Sequence, residues 1–195
     1  KALLIKEGVS FETKGDTEVL ARALVQWGMD ATLDKLEGMW AFAFYNQNSG
    51  NLYLCRDRFG EKPLYFTNQD DGIYFSSETK SLFQLLNRRL NFNFDQIHRY
   101  LINGYKSLYK QNSTFYNEVQ EVGQGQWVKI NKNLKLNAGI YWKPNLNVDE
   151  TLTYRDSVDK VREDLSRSVS IRLRSDVPIA FCMSGGIDSN SLISI

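Results

Sequence analysis

The sequence predicts an α+β fold that continues into the beginning of an α/β fold. Between Met39 and Ser77 four apolar runs follow one another across short turns, which is the pattern of an antiparallel meander. A long amphipathic helix, Tyr154 to Leu173, comes later, and after it an apolar run leads through two adjacent glycines into another helix. This order predicts two domains, residues 1–143 and 144–195, with a stretch of linker composition from Lys143 to Val148.

The first forty residues carry helical patterns. Ala2 to Lys6 is predicted to end a helix that Gly8 closes, and the alternating stretch Val9 to Thr13 is predicted to form a short strand. Asp16 to Glu18 marks the start of the next helix, because acidic and hydroxyl side chains favour helix N-termini. Its apolar face comprises Val19, Leu20, Ala23, Leu24 and Trp27; Gly28 ends it, and Thr32 to Leu36 forms a second short helix.

The strands of the predicted meander are Met39 to Tyr45, Asn51 to Asp57, Leu64 to Thr67 and Ile73 to Ser77. The first is apolar on both faces, so we expect a central strand that is covered on both sides. Two helices are predicted after the meander, at Glu78 to Leu86 and at Phe94 to Ile102. A β-like pattern with interspersed glycines returns between Thr114 and Trp142.

Composition excludes several classes of protein. The 195 residues are 42% apolar and carry a formal net charge of +1, so they can form a core but offer no strongly basic surface for nucleic acid. No apolar run is long enough to span a bilayer. Cys55 and Cys182 both lie in apolar runs, which favours buried thiols in a reducing cytoplasm over a disulfide. We therefore expect a soluble cytoplasmic protein that binds neither nucleic acid nor membrane.

Both ends of the sequence indicate a longer protein. The chain opens with Lys1 in a helical pattern, and it stops at Ile195 when the last helix has hardly begun. A nucleotide-binding domain with a parallel sheet needs several further strands and helices. We therefore expect an internal piece of a larger chain.

The stretch from Val177 to Ser191 carries the clearest functional pattern. Ile179 to Met183 is predicted to be a buried parallel strand, and a helix is predicted to start at Ile187. Between them Ser184-Gly185-Gly186 lets the backbone turn sharply and leaves N–H groups uncovered at the positive end of the helix. Such a loop predicts a phosphate site. Ser-Gly-Gly-x-Asp-Ser after a strand resembles the pyrophosphate loop of enzymes that split ATP into AMP and pyrophosphate, and this resemblance implies that Asp188 supplies a carboxylate for the accompanying Mg²⁺. The alternative is a plain Gly-Gly turn that joins a strand to a helix.

Two motifs far apart in the chain resemble the same family. The first, Arg56-Asp57-Arg58-x-Gly60-x-Lys62-Pro63-Leu64-Tyr65, lies in a segment that resembles the glutaminase domain of the glutamine-dependent asparagine synthetases. The second, Ser184-Gly185-Gly186-x-Asp188-Ser189, lies in a segment that resembles the start of their synthetase domain. The resemblance covers essentially the whole chain in the family's order, which makes it far more specific than either motif alone.

The resemblance implies a partial αββα glutaminase domain of the Ntn (N-terminal nucleophile) type over residues 1–143. It implies that residues 144–195 begin an ATP-binding domain with the parallel sheet of PP-loop proteins, the adenine nucleotide α-hydrolase-like fold. In this family glutamine is hydrolysed to supply ammonia. ATP, with Mg²⁺, activates the aspartate side chain as its AMP ester. Ammonia then displaces AMP and gives asparagine. The resemblance leaves a homodimer open.

Site residues transfer from the family one by one. Asp16 matches the aspartate that holds the α-amino group of glutamine; the alternative is that Asp16 caps the helix that starts at Thr17. The ATP loop is matched by Ser184, Gly185, Gly186, Asp188 and Ser189, and the main-chain contact before it by Cys182. The nucleophilic cysteine and an Asn-Gly oxyanion pair are expected upstream of Lys1. Cys55 and Cys182 are therefore expected to be structural thiols, and this piece alone is expected not to hydrolyse glutamine.

Other conspicuous residues are predicted to be structural. His98 is the only histidine and has no partner at metal-ligand spacing, so we expect it at or near the surface. Glu78 and Lys80 are expected to be structural and to lie near the interface that ammonia must cross. An ion-paired turn near the domain junction is predicted for the charged residues of the hairpin, Arg56, Asp57, Arg58 and Lys62.

Other functions share these motifs and remain alternatives. Relatives with the same two domains amidate sugar acids or close β-lactam rings, and nothing in this sequence identifies the acceptor. A catalytically silent protein that keeps the fold is a second alternative. A stand-alone ATP pyrophosphatase that thiolates tRNA is a third, but it predicts a basic RNA-binding segment and paired cysteines, which this sequence does not show. Asparagine synthesis with glutamine hydrolysis is the function that the sequence predicts.

Overall fold

The computed structural model describes residues 1–105, 108 and 111–195, which form two compact units, Lys1–Lys143 and Pro144–Ile195. The helices of unit 1 are α1 (Ala2–Lys6), α2 (Asp16–Lys35), α3 (Thr79–Leu86) and α4 (Phe94–Asn103). Its strands are β1 (Ala41–Asn46), β2 (Asn51–Arg56), β3 (Tyr65–Gln69), β4 (Gly72–Ser76), β5 (Gln120–Glu121), β6 (Gln126–Ile130) and β7 (Leu136–Ile140). Unit 2 contains α5 (Tyr154–Arg172) and α6 (Ile187–Ser194). No helix within the described residues is long and apolar enough to cross a membrane.

The end of α1 shows why the chain turns at Gly8. This glycine has a positive φ of 85°, a conformation that side chains with a Cβ rarely adopt. Its N–H donates to the carbonyl of Ile5, and the N–H of Val9 donates to the carbonyl of Leu4. These two bonds are the pattern of a Schellman helix end, so the predicted helix and its glycine stop are confirmed.

The strand predicted from Val9 to Thr13 is wrong, because the carboxylate of Glu18 holds this stretch in an irregular loop. Glu18 accepts hydrogen bonds from the backbone N–H groups of Glu12 at 2.9 Å and Thr13 at 2.7 Å, and from the Thr13 hydroxyl at 2.7 Å. The Glu12 bond first, and then the Thr13 bonds, lower the pKa of Glu18 to about 2.

Helix α2 is broken at Gly28, where φ is 77° and ψ is −178°. The break separates a longer segment, which buries Ala23 and Leu24, from a shorter one, which buries Thr32 and Leu33. Glycine reaches such dihedrals without the steric cost that other residues incur. The sequence predicted a helix stop at Gly28 and a second short helix after it, and the structure confirms both.

The strands form two antiparallel sheets, so the predicted four-stranded meander is wrong. One sheet has the order β1-β2-β6-β7, and the other has the order β4-β3-β5. Strand β2 pairs with β6, with Leu52 opposite Ile130 and Cys55 opposite Trp127, rather than with β3. The two predicted hairpins therefore belong to different sheets, because the residues between β2 and β3 fold into a compact turn around Asp57 instead of a hairpin loop.

Strand β1 is an edge strand, which overturns the prediction of a central strand covered on both sides. It pairs with β2, and no strand among the described residues pairs with its other edge. Its residues are half-buried or exposed. The buried strand is β2, where Leu54 and Cys55 are fully buried. An apolar run indicates that a strand is buried on average. Whether it lies in the centre or at the edge of its sheet depends on strand order, which the run does not encode.

The core of unit 1 has two apolar clusters. The first joins strands of both sheets and consists of Leu54, Leu64, Phe66, Val122, Val128 and Ile130. The second packs α3 against the second sheet and consists of Leu82, Leu90 and Val119. Burial of each large apolar side chain contributes about 1.5–3 kcal/mol, so these clusters supply most of the driving force for folding.

The predicted helices α3 and α4 are confirmed, and α4 buries a polar side chain. Asn93 caps α4 by accepting a hydrogen bond from the N–H of Gln96 at 3.1 Å. Gln96 is itself buried and donates to the carbonyl of Ser113 at 3.2 Å. Phe94 and Leu101, by contrast, are exposed.

In unit 2, α5 starts at a capping box. The Thr153 hydroxyl accepts from the N–H of Asp156, and the Asp156 carboxylate accepts from the N–H of Thr153. The predicted amphipathic helix is therefore confirmed as a helix. Its apolar stripe is not buried within residues 144–195, since Val158, Val161 and Leu165 all remain exposed.

The buried parallel strand predicted from Ile179 to Met183 is wrong for this structure. The stretch is irregular, and Ile179, Phe181 and Met183 are all exposed. A strand forms only when a neighbour pairs with its N–H and C=O groups, and residues 144–195 contain no other strand. The predicted helix after the glycines is confirmed as α6.

Candidate functional site

The glycine loop before α6 has the geometry that an anion site requires. Gly185 has a φ of 78°, and Gly186 is the N-cap of α6 with φ −77° and ψ 164°. Because the first four N–H groups of a helix have no intrahelical acceptor, the loop places free donors at the positive end of the helix dipole. The structure thus confirms a sharp turn at the glycines followed by a helix.

Two serines fold the loop over the first turn of the helix. The hydroxyls of Ser184 and Ser189 lie 3.1 Å apart, and Ser189 Oγ donates to the carbonyl of Gly186 at 3.1 Å. The N–H of Gly186 donates to Ser184 Oγ at 3.4 Å. The Ser184 side chain is exposed and that of Ser189 is half-buried, so both hydroxyls can be reached by a ligand.

The space above the two glycines is open. A Cβ added at Gly185 would meet nothing within 4 Å, and one added at Gly186 would meet only Ser184 Oγ at 3.5 Å. The protein itself therefore does not require a missing side chain at Gly186. A ligand that approaches the backbone closely does require it, and pyrophosphate oxygens are ligands of this kind.

Asp188 lies in the first turn of α6, next to this open space. Its side chain is exposed, and no hydrogen bond or ion pair of its carboxylate is found with the described residues. The described part of the chain also contains no group of three or more metal-binding side chains. One carboxylate beside phosphate oxygens fits Mg²⁺, which is commonly held by one or two carboxylates, phosphate oxygens and water.

Cys182 lies two residues before Ser184 and is exposed, which corrects the expectation of a buried thiol at this position. The correction follows from the absence of the predicted strand. The expected contact of Cys182 with a nucleotide is a main-chain contact, so it does not depend on the thiol and stays a prediction.

Asp16 is the first residue of α2 and not its cap. The N-cap is Gly15, and no side chain caps the helix. The Asp16 carboxylate is exposed, and among the described residues it accepts a hydrogen bond only from Thr17 Oγ1, at 3.5 Å. The capping alternative is therefore wrong, and the carboxylate is available to bind a ligand. The nearby carboxylate of Glu18 fixes the loop that precedes Asp16.

The turn after β2 uses Asp57 as an internal anion. Its carboxylate accepts four backbone hydrogen bonds, from the N–H groups of Trp40 at 3.3 Å, Phe59 at 3.1 Å, Glu61 at 3.0 Å and Lys62 at 3.0 Å. Asp57 is only 1% exposed. Sequence reasoning missed this role, although an aspartate at the start of a glycine-containing turn is the usual signal for it.

The Arg56 side chain forms hydrogen bonds both within the turn and with residues distant in sequence. Its guanidinium pairs with Glu121 at 2.6 Å and donates to the backbone carbonyls of Val122, Gly60 and Lys62. The predicted ion-paired turn is thus wrong in its partners, because the carboxylate comes from β5 and Asp57 binds backbone N–H groups. Glu121 was missed because it is distant in sequence.

The remaining candidates behave as structural residues. Cys55 is buried, its Sγ lies 3.8 Å from Met29 Sδ, and burial raises the pKa of its thiol, which disfavours the nucleophilic thiolate. His98 is exposed, as expected. Glu78 and Lys80 form an exposed ion pair at 2.6 Å, and the hydrogen bond to Glu78 raises the pKa of Lys80.

Family models match both parts of the chain. A model described as a glutamine amidotransferase domain matches residues 1–142, and a model described as asparagine synthase matches residues 160–195.

Curated relatives extend over nearly the whole chain. Asparagine synthetase [glutamine-hydrolyzing] 1 of Bacillus subtilis is 34% identical over 97% of the chain and 29% of its own length. A putative asparagine synthetase [glutamine-hydrolyzing] 2 of Methanocaldococcus jannaschii is 30% identical over 99% of the chain and 38% of its own length. The chain therefore spans well under half the length of these relatives.

A solved structure supports the fold. The glutamine phosphoribosylpyrophosphate amidotransferase of B. subtilis, complexed with ADP and GMP, matches with a TM-score of 0.50 at 20% identity. The match covers 76% of this chain and 26% of that one. At this identity the likeness concerns the fold alone, and it confirms the Ntn-type architecture with two antiparallel sheets.

Proposed function

Because the chain belongs to the family of glutamine amidotransferase domains, we propose that it works in a glutamine-dependent asparagine synthetase. The observation that carries this proposal is the order of the two family matches, glutamine amidotransferase first and asparagine synthase second, on a single chain. A glutaminase domain supplies ammonia, and the second family match, later in the same chain, indicates the reaction that uses it.

The proposed reaction converts glutamine, aspartate, ATP and water into glutamate, asparagine, AMP and pyrophosphate. A carboxylate resists attack by ammonia because its negative charge repels nucleophiles and its oxygen is a poor leaving group. Transfer of the AMP group from ATP to the aspartate side chain provides a good leaving group and releases pyrophosphate. Ammonia then forms the amide bond, and AMP leaves with the electrons of the broken C–O bond.

In this proposal the loop Ser184–Ser189 holds the pyrophosphate portion of ATP. The backbone N–H groups at Gly185 and Gly186 and the hydroxyls of Ser184 and Ser189 donate to phosphate oxygens, and the long 3.4 Å bond from the Gly186 N–H to Ser184 Oγ is exchanged for one to the ligand. Asp188 provides a carboxylate for Mg²⁺, which neutralises phosphate charge when it is bound. Cys182 contributes its main chain. The support is the open space above the glycines and the exposed carboxylate beside them.

Asp16 is proposed to hold the α-amino group of glutamine. An exposed carboxylate that caps no helix can accept hydrogen bonds from an ammonium group. Residues 1–195 alone are expected not to hydrolyse glutamine, because Cys55 is buried with a raised thiol pKa and Cys182 belongs to unit 2. We also propose that the protein is cytoplasmic, acts on small molecules, and binds neither nucleic acid nor membrane. Monomer and homodimer both stay open.

The experiment is a product assay on the full-length protein with glutamine, ATP, Mg²⁺ and aspartate. Asparagine and AMP are expected in equal amounts. AMP formation that depends on a sugar acid or another carboxylate instead of aspartate would favour the related amidotransferases, and no AMP with any acceptor would favour a silent protein. Ammonia in place of glutamine should also support synthesis, because the second half-reaction uses ammonia itself.

Matched variants assign the two sites. Asp188→Ala is expected to abolish AMP formation, while Asp176→Ala, another exposed aspartate of unit 2, is expected to leave it unchanged. Asp16→Asn is expected to impair synthesis with glutamine but not with ammonia, and Asp30→Asn, another exposed aspartate on α2, serves as its control. An equal loss with both nitrogen donors would contradict the role of Asp16.

A further inference from the structure

Unit 1 contains an apolar cavity that the proposed function does not use. Its volume is about 400 Å³, and it lies between the end of α3 and the segment that follows α4. The described residues that line it are three aromatics, one leucine and one arginine: Phe83, Tyr116, Phe92, Leu90 and Arg89. Cavities of this size, with aromatic walls and one polar group, are typical of small-molecule sites.

The aromatic walls are fixed in place. Tyr116 contacts Phe83 edge-on, with ring centroids 5.0 Å apart, and stacks on Phe92 at 5.7 Å. A β-bridge joins the backbones of Phe92 and Tyr116. The carboxylate of Glu118 accepts hydrogen bonds from the N–H and the side-chain amide of Asn91, which holds the segment before Phe92. The cavity is therefore preformed rather than a gap between mobile side chains.

Two neighbouring arginines differ in their partners. Arg88 donates to Gln69 at 2.9 Å and pairs with Glu118 at 3.4 Å. Arg89 is exposed, and its guanidinium has no acceptor among the described residues. A cation at the edge of an aromatic cavity, with no carboxylate of the described lining to neutralise it, attracts an anion.

We propose that this cavity binds a small aromatic monocarboxylate, with its ring against Phe92 and Tyr116 and its carboxylate at Arg89. The described lining offers no acidic group, so it does not suit the ammonium group of a free amino acid such as glutamine or aspartate. It offers a single cation, which does not suit the several charges of ATP. The site therefore lies beyond the proposed function, and its test does not depend on enzymatic activity.

The test is calorimetric titration of the full-length protein with 2-naphthoate and with its neutral counterpart 2-naphthalenemethanol. We expect 2-naphthoate to bind about 10-fold more tightly, because a charge-assisted hydrogen bond at a partly exposed site contributes about that much. Arg89→Gln is expected to remove this advantage and to leave the affinity for the alcohol within about 2-fold. Arg155→Gln, at another exposed arginine, should change neither affinity.

A second variant tests the cavity itself. Phe92→Ala should weaken both probes by about 10-fold, since each loses the same ring contact. Phe92 is 54% exposed, so the substitution leaves the core clusters in place, and a circular dichroism melt checks that the fold persists. Equal affinity for the two probes in the wild-type protein, or a 2-naphthoate affinity that Arg89→Gln or Phe92→Ala does not lower, would overturn the proposal.

Discussion

The turn Arg56–Pro63 and the loop Ser184–Ser189 look alike in sequence but differ in what binds their backbone. Each contains one glycine at positive φ, Gly60 and Gly185, together with charged residues, and each has the composition of a phosphate site. In the first, the carboxylate of Asp57 occupies four backbone N–H groups. In the second, the only carboxylate, Asp188, makes no hydrogen bond with the described residues and leaves the N–H groups of the helix start free.

This difference separates a structural turn from the loop that is proposed to bind ATP. A turn that contains its own anion is complete and has no site for another. A loop with the same donors and no internal anion is complete only when a ligand supplies one. The distinguishing observation is the acceptor of the backbone N–H groups, which composition does not reveal.

The largest effect is expected when the internal anion is removed. Asp57→Ala leaves four backbone donors without their charged acceptor, and we expect the free energy of unfolding to fall by about 4 kcal/mol. Urea unfolding of the full-length protein measures it. Asp70→Ala, at an exposed turn, is the control and should change it by less than about 0.5 kcal/mol. A loss below about 1 kcal/mol for Asp57→Ala would show that water replaces the carboxylate.

The glycine of the structural turn should tolerate substitution poorly. Gly60 has a φ of 67°, and an added Cβ would lie 3.1 Å from the guanidinium carbon of Arg56. The left-handed conformation costs an alanine about 1–2 kcal/mol, and displacing Arg56 adds to that cost. We expect Gly60→Ala to destabilise the protein by about 2–3 kcal/mol in urea unfolding. A loss of only about 1 kcal/mol, the value expected for alanine at Gly185, where an added Cβ meets no atom, would contradict the tight contact with Arg56.

At the N-cap glycine of the proposed ATP loop, substitution should affect ligand affinity more than stability. Gly186 has an ordinary φ, and its added Cβ would meet only Ser184 Oγ. Gly186→Ala should cost no more than about 1 kcal/mol in unfolding, because alanine is a poorer N-cap than glycine. It should lower the affinity for ATP by at least about 10-fold, because the methyl group occupies the space of a phosphate oxygen. Equilibrium dialysis with ATP and Mg²⁺ measures the affinity. Unchanged ATP affinity would refute the loop assignment.

The other glycine of the loop isolates the cost of backbone conformation. Gly185 has a φ of 78° but nothing within 4 Å of an added Cβ. Gly185→Ala should cost about 1 kcal/mol, which corresponds to roughly fivefold faster amide hydrogen exchange at the start of α6. Exchange followed by mass spectrometry measures it, with the wild-type protein as the reference. Exchange of Gly185→Ala at the wild-type rate would contradict a cost of the positive φ.

The smallest effect concerns Glu18 and pH. Its pKa falls from 4.5 to about 2 on folding, so its charged form stabilises the folded chain. That contribution is complete above pH 4.5 and disappears as the pH falls towards 2. We expect the urea midpoint of the wild-type protein to drop more between pH 6 and pH 3 than that of Glu18→Gln. Glu150→Gln, at an exposed position, should keep the wild-type dependence. Parallel curves for Glu18→Gln and the wild type would contradict the contacts with Glu12 and Thr13.

The sequence predicted local elements well because their causes are local. The glycine stop after α1, the break of α2 at Gly28 and the start of α6 each depend on a few neighbouring residues. The Ser-Gly-Gly loop was predicted for the same reason. Asp16 and the pyrophosphate loop, by contrast, received their roles from the family resemblance, and those roles stay predictions.

Sheet order and burial were not predictable because they depend on distant partners. The pairing of β2 with β6, and of Arg56 with Glu121, joins residues whose proximity no local pattern encodes. The apolar run of β1 predicted burial on both faces, but its place at the sheet edge leaves it partly exposed. The strand predicted from Ile179 to Met183 is wrong for the same reason, because a strand requires a neighbouring strand that residues 144–195 do not provide.

The pairing of β2 with β6 has a consequence for how unit 1 acquires its structure during synthesis. Leu52 finds its partner only after Ile130 has been made, and the chain between them includes the second sheet's hairpin and two helices. Contacts between such distant residues slow folding, because the loop must close before the pairing stabilises it. The hairpin β1–β2 therefore leaves the ribosome well before its sheet is complete, and in that interval its open edges are exposed to chaperones and to aggregation.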